Sequence, residues 1–126
     1  MIFVLFEVTV RKEYMQDYLS LAAGLKNELE QVDGYLRSER FSSLNNEGKL
    51  LSLSVWKNEQ AVEKWRNNIQ HRMCQRQGHD LLFEDYTIIV TAKIRSYTRT
   101  DRAEVPEDSE MFLASEPEDG SAGNTA

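Results

Sequence analysis

The chain is 126 residues long, 40% hydrophobic and 29% charged, enough for one domain with its own core and too short for two comfortable ones. Its formal charge of −6 sits at one end: residues 99–126 hold eight acids and two bases, and residues 1–98 hold 13 of each. A neutral body with an acidic tail argues against nucleic acid as a partner. The single cysteine, Cys74, excludes an internal disulfide and a cysteine-based zinc site.

The apolar start, Met1 to Val10, is too short to span a bilayer and lacks the basic flank and small-residue cleavage site of a signal peptide. The expectation is a cytoplasmic protein that makes no membrane contact. In Ile2–Val10, the residues Ile2, Val4, Phe6, Val8 and Val10 alternate with Glu7 and Thr9, the period of a strand. From Tyr14 the period changes. Met15, Tyr18, Leu19, Ala22, Leu25, Leu29 and Val32 recur at three- and four-residue steps and predict an amphipathic helix. Gly34 follows the last apolar position and suits a left-handed helix end.

Tyr35–Leu44 reads as a second strand, Asn45-Asn46-Glu47-Gly48 as a turn, and Lys49–Trp56 as a third strand completing a hairpin. Asn58 is placed to cap a helix whose stripe is Ala61, Val62, Trp65 and Ile69. A further helical stretch, Gln70–Gln77, is expected to stop at Gly78. Leu81–Asp85 reads as a connector and Tyr86–Tyr97 as a fourth strand.

The order β-α-β-β-α-β predicts an α+β, ferredoxin-like antiparallel sheet with both helices on one face, within a domain of residues 1–98. Residues 99–126 carry both prolines with many Asp, Glu, Ser and Gly, and predict a mostly disordered acidic tail with one apolar patch, Met111-Phe112-Leu113. The second sheet face is apolar too: Phe3, Leu5, Leu51, Leu53, Val55 and Ile89 alternate with the helix-side residues. Such a face needs cover, and a second copy of the chain supplies it, so a homodimer is expected.

Several segments together resemble a known family. They are Val32-Asp33-Gly34-Tyr35, the run Ser54-Val55-Trp56-Lys57-Asn58-Glu59-Gln60-Ala61, Trp65, His71-Arg72 with Gln75 and Gly78, and then Phe83 and Tyr86. In this order they resemble the antibiotic biosynthesis monooxygenases, across residues 2–97. The resemblance implies a dimeric α/β barrel with a pocket between sheet and helices. It implies, in some members, oxidation of quinols or aromatic polyketides by O2 with no metal or flavin, and in others haem degradation. Trp56 matches a pocket tryptophan of the polyketide oxygenases, while Ser52 and Val62 stand where those have asparagine and tyrosine. Phe6 stands at an asparagine of the haem-degrading members, Trp65 at their helix tryptophan, and Gln75 at their iron-binding histidine, so haem degradation is not expected.

The candidate site follows from these positions. His71 is the expected proton acceptor, because imidazole alone changes charge near neutral pH unaided. Trp56, Trp65, Ser52 and Phe6 are the expected lining for a small hydrophobic or aromatic molecule, and Arg76, one turn from Arg72, an expected holder of an oxyanion. Trp65 also suits core packing, and His71 and Arg76 also suit a solvated helix surface. His71 and His79 have no acid at ligand spacing, so no metal site is expected, and the resemblance implies that no cofactor is needed. The reading is a cofactor-independent monooxygenase of a small phenolic, quinol or aromatic compound, with a non-catalytic, dimeric small-molecule-binding or biosynthesis-accessory domain as the alternative. In an unbroken helix His71 would face away from Trp65, six residues and about one and two-thirds turns earlier. A break near Asn67-Asn68 would bring both to one pocket.

Overall fold

Strand β1 (Ile2–Val10) lies inside a four-stranded antiparallel sheet of order β2-β3-β1-β4, seen in a computed structural model that describes residues 1–114, less the side chains of Ile69 and Gln70. The neighbours of β1 are β3 (Lys49–Trp56) and β4 (Phe83–Ala92), and β2 (Tyr35–Ser42) pairs with the outer side of β3. Helices α1 (Met15–Glu30), α2 (Glu59–Arg66) and α3 (Ile69–Gln77) complete the layer. This is the α+β, ferredoxin-like arrangement that the order of elements predicts.

The even residues of β1 face the helices. Val8 and Val10 are 1% and 2% exposed and join Tyr18 of α1, Leu50 and Leu82 in one apolar cluster, with Phe6 and Phe83 packed against it. A second cluster gathers Trp56, Ala61 and Val62 with Ile2, Val4, Val32, Tyr35 and Trp65. Burying such side chains stabilises by roughly 1.5–3 kcal/mol each, an upper figure because unfolded chains already hide some apolar surface. Phe3, Leu5, Leu51, Leu53, Val55 and Ile89 take the other face, where Ile89 is exposed, Val55 is already buried within the chain and the remaining four are half-buried.

Gly34 connects α1 to β2 with φ +93°, the left-handed value expected of it. A Cβ there would lie 2.6 Å from Cβ of Ala61. The missing side chain therefore lets α2 pack tightly on the turn, and the Lys57 N–H donates to the Gly34 carbonyl at 2.7 Å.

Three boundaries differ from expectation. β2 stops at Ser42, two residues early, because the Ser43 hydroxyl accepts the N–H groups of Asn45 and Asn46 and turns the chain. β4 starts at Phe83 and ends at Ala92, since Ala92 pairs with Ile2 at the end of the partner strand. Gly78 does not end α3 in a left-handed turn; its φ is −61°, and the chain widens there into a π-helical turn, Gly78–Leu82, that buries Leu82.

Contacts divide the chain into two units, residues 1–93 and residues 94 onward. The second unit carries a helix, α4 (Glu107–Ala114), where acidic composition predicted little structure. Arg102 organises it, donating to Glu110 and to the Thr98 carbonyl at 3.2 Å each and lying 5.4 Å from the Tyr97 ring. The rest of the expected tail, residues 115–126, lies outside the described residues.

Replacing Gly34 by alanine is expected to destabilise the chain by about 2–4 kcal/mol, combining the left-handed backbone with overpacking against Ala61. Urea unfolding measures this; a change under about 0.5 kcal/mol, the scale of an ordinary surface substitution, would mean that the turn relaxes freely.

Candidate functional site

Cross-strand register sets the helix side of the sheet in rows. Tyr35, Trp56, Ile2 and Ala92 form one row; Ser38, Ser54, Val4 and Val90 the next; Arg40, Ser52, Phe6 and Ile88 the third. The middle of this surface therefore carries serines, between the aromatic cluster around Tyr18 and the cluster around Trp56. Short hydroxyl side chains fill little volume under the helices.

Trp56 is 1% exposed. Its Nε1–H donates to the Ser54 hydroxyl at 2.9 Å, and its ring meets Tyr35 edge-on at 5.5 Å. It closes one end of the rows as a core residue and presents almost no surface to a ligand, unlike the lining role expected of it. Phe6 bounds the other end, edge-to-face with Phe83 at 5.8 Å and Tyr86 at 5.9 Å. Ser52 lies between Phe6 and Arg40 in the third row.

The helix does break at Asn67-Asn68. Asn67 ends α2, its side-chain amide donating to the Glu63 carbonyl at 3.0 Å, and Asn68 starts α3, its Oδ1 accepting the His71 N–H at 3.1 Å. Asn68 suits this, because its side chain satisfies a backbone N–H that the restarted helix exposes, while Asn67 adds its amide to a Glu63 carbonyl that already accepts the Asn67 N–H. The break turns His71 back onto Trp65, and the two rings lie 4.4 Å apart, tilted by 46°.

His71 is half-buried, and its Nδ1 is sealed from solvent with no hydrogen-bond partner among the described residues. Burial, helped by the positive charge of Arg72, pushes its pKa down to about 4. The Arg72 guanidinium is itself held by the Asn67 side-chain oxygen. At neutral pH the ring is an uncharged imidazole lying on an indole.

Arg76 is elsewhere. It is five residues past His71, roughly 140° around the helix, and its side chain, 87% exposed, pairs with Asp80 at 3.9 Å. The structure does not bring it to the His71–Trp65 pair. A separate cleft of about 500 Å³ between α1 and the end of α3 is lined by Asp17, Ser20, Leu21, Gln77, Leu81 and Leu82, none of them a candidate residue.

Arg40 and Tyr18 complete the helix side, and no motif in the sequence marks either as a site residue. Plain alternation from Tyr35, a helix-side residue, would put Arg40 on the opposite face. The ladder slips between Tyr35 and Arg37, with Leu36 as the extra residue, and this bulge moves Ser38 and Arg40 to the helix side. There the Arg40 guanidinium lies 5.6 Å from the Tyr18 ring. Burial raises the Tyr18 pKa, and Arg40 partly offsets it. The only hint in the sequence is the change from a mixed Tyr35-Leu36 start to polar alternation after it.

Among the described residues, no group of three or more His, Cys, Asp or Glu is placed to hold a metal ion, and no helix is long and apolar enough to cross a membrane.

Residues 1–77 match the family model for antibiotic biosynthesis monooxygenases. The chain belongs to that family. This family member is 38% identical over 96 residues to the jasmonate monooxygenase ABM of Pyricularia oryzae, an overlap of 74% of this chain and 45% of that protein. It thus spans less than half the length of that relative. A conserved protein from Methanosarcina mazei Go1 has the same fold, with a TM-score of 0.68 at 21% identity over 73% of this chain and 91% of that one. So does SnoaB, a cofactor-independent oxygenase from Streptomyces nogalater solved in a mutant form, with a TM-score of 0.66 at 10% identity over 75% of this chain and 94% of that one.

Proposed function

We propose that this antibiotic biosynthesis monooxygenase family member is a cofactor-independent oxygenase of a small ring compound carrying an acidic C–H or phenolic O–H. The observation that carries the reading is the neutral, sheltered His71 imidazole against Trp65. Removal of a proton makes such a substrate electron-rich enough to pass an electron to O2. At an activated CH2 the balance is simple: two hydrogens leave, one oxygen atom becomes the new carbonyl, and the other leaves as water. His71 accepts the proton, Trp65 stacks on the ring, and the Phe6–Phe83–Tyr86 aromatics keep the space dry. Phenols, quinols and aromatic compounds fit this chemistry. So does the enolisable ring ketone of jasmonate, on which the named Pyricularia relative acts.

A second reading, a binding domain without turnover, is supported by Trp56, whose indole is committed to the core rather than offered to a ligand. The two part on one variant. His71→Ala is expected to lower turnover of an authentic substrate by roughly 10²–10⁴-fold while binding stays within a few-fold. Because His71 is neutral above about pH 4, kcat/KM in the wild type is expected to hold through neutral pH and fall only as the pH drops through about 4. Full activity in His71→Ala would put the base elsewhere, and no oxygen consumption with any quinol, anthrone or jasmonate would favour the binding domain.

We also propose that a second copy covers the outer face of Phe3, Leu5, Leu53 and Ile89, since apolar side chains in a contiguous sheet face are stabilised by pairing. Sedimentation at micromolar concentration is expected to give twice the chain mass; a monomer there would exclude this pairing.

A further inference from the structure

We propose that Arg40, propped on Tyr18, is a carboxylate anchor, so that the site takes a small apolar ring compound bearing an acid group. This deepens the reading of the helix side as a substrate site and rests on it. Three observations carry the assignment.

The first is the bulge at Leu36. Without it Arg40 would lie on the outer face; with it, Arg40 takes its place in the row of Ser52 and Phe6. A bulge costs ladder hydrogen bonds, and such irregularities commonly re-aim a side chain beside a site. The second is what holds the guanidinium. It sits over the ring of Tyr18, which is 6% exposed and fixed in the core, and stacking on an aromatic face restricts a long side chain in advance of binding. The third is charge. No acid among the described residues lies within ion-pair distance of Arg40. Among the helix-side positions of the sheet, from Ser38, Ser42, Ser52 and Ser54 to Ile2, Val4, Phe6, Val8, Ile88 and Val90, none carries a charge except Arg40. An exposed guanidinium that hydrogen-bonds Tyr18 and has no acid partner among the described residues, beside serine hydroxyls and apolar side chains, matches a carboxylate on an apolar body, since its planar fork meets both oxygens at once. Ser52, the row neighbour of Arg40, offers a further hydroxyl to the same group.

The experiment is equilibrium binding to the full chain of two matched pairs: jasmonic acid with methyl jasmonate, and 1-naphthylacetic acid with its methyl ester. Each pair keeps the ring and removes the charge. The wild type is expected to bind each acid about 10- to 100-fold tighter than its ester, the range for one charge-assisted contact, with the difference shrinking as salt is raised. Arg40→Gln is expected to abolish the preference by weakening acid binding alone, and Arg40→Lys to restore part of it. Equal affinity of the wild type for acid and ester, a preference that survives in Arg40→Gln, or no binding of either acid would each overturn the proposal; the first and last need no variant to fold. The oxygenase reading fails separately. Acids bound through Arg40 but never oxidised would remove turnover and keep the anchor, while esters oxidised as fast as acids would do the reverse.

Discussion

In an antiparallel sheet each side chain belongs to one face or the other, and a shift of one residue carries everything beyond it across. This parity governs the whole molecule. On β1 it sends Val8 and Val10 into the helix layer and Phe3 and Leu5 to the outside. Through the register it sets Ser52, Ser54 and Trp56 opposite Phe6, Val4 and Ile2. One slip, at Leu36, changes the parity of β2 and brings Ser38 and Arg40 to the side where α1 and the helix-side aromatics lie.

The second irregularity is in the helices. A continuous helix from Glu59 to Gln77 would point His71 away from Trp65. Asn67 and Asn68 break it at low cost, because the Asn68 side chain bonds the His71 N–H that the new helix start leaves open and the Asn67 side chain adds a second bond to the Glu63 carbonyl. The new start of α3 turns His71 inward, where burial and the neighbouring Arg72 strip its charge. A bulge and a break, each one or two residues long, thus add Ser38, Arg40 and His71 to the serines that the regular register of β3 already places there.

Much of this was legible in the sequence. Period two in Ile2–Val10 and Lys49–Trp56, the stripe from Met15 to Leu29, and Gly34 after it specify the elements and their order, because burying one face leaves a strong pattern. The break at Asn67-Asn68 was legible as well, since asparagine is a poor helix interior and a good cap. Arg40 was not legible, because a bulge leaves the composition of a strand unchanged and alters only which face each residue takes. Arg76 failed for another reason: spacing from Arg72 gave it a helix face but not the face that His71 would occupy once the helix restarted. The π-helical turn at Gly78 and the helix α4 had no pattern of their own, and both depend on packing, of Leu82 in one case and of Arg102 on Tyr97 in the other.

The claim on which the site depends is that the restarted helix shelters His71 as a neutral imidazole against Trp65. Nitrogen-15 NMR of the two histidine rings, followed as the pH is lowered, measures it directly. His71 is expected to stay uncharged well below the ordinary histidine range and to take up its proton near pH 4. A midpoint near 6.5, about the ordinary histidine value, would mean that the ring is open to water, and the helix break would then no longer account for a site at Trp65.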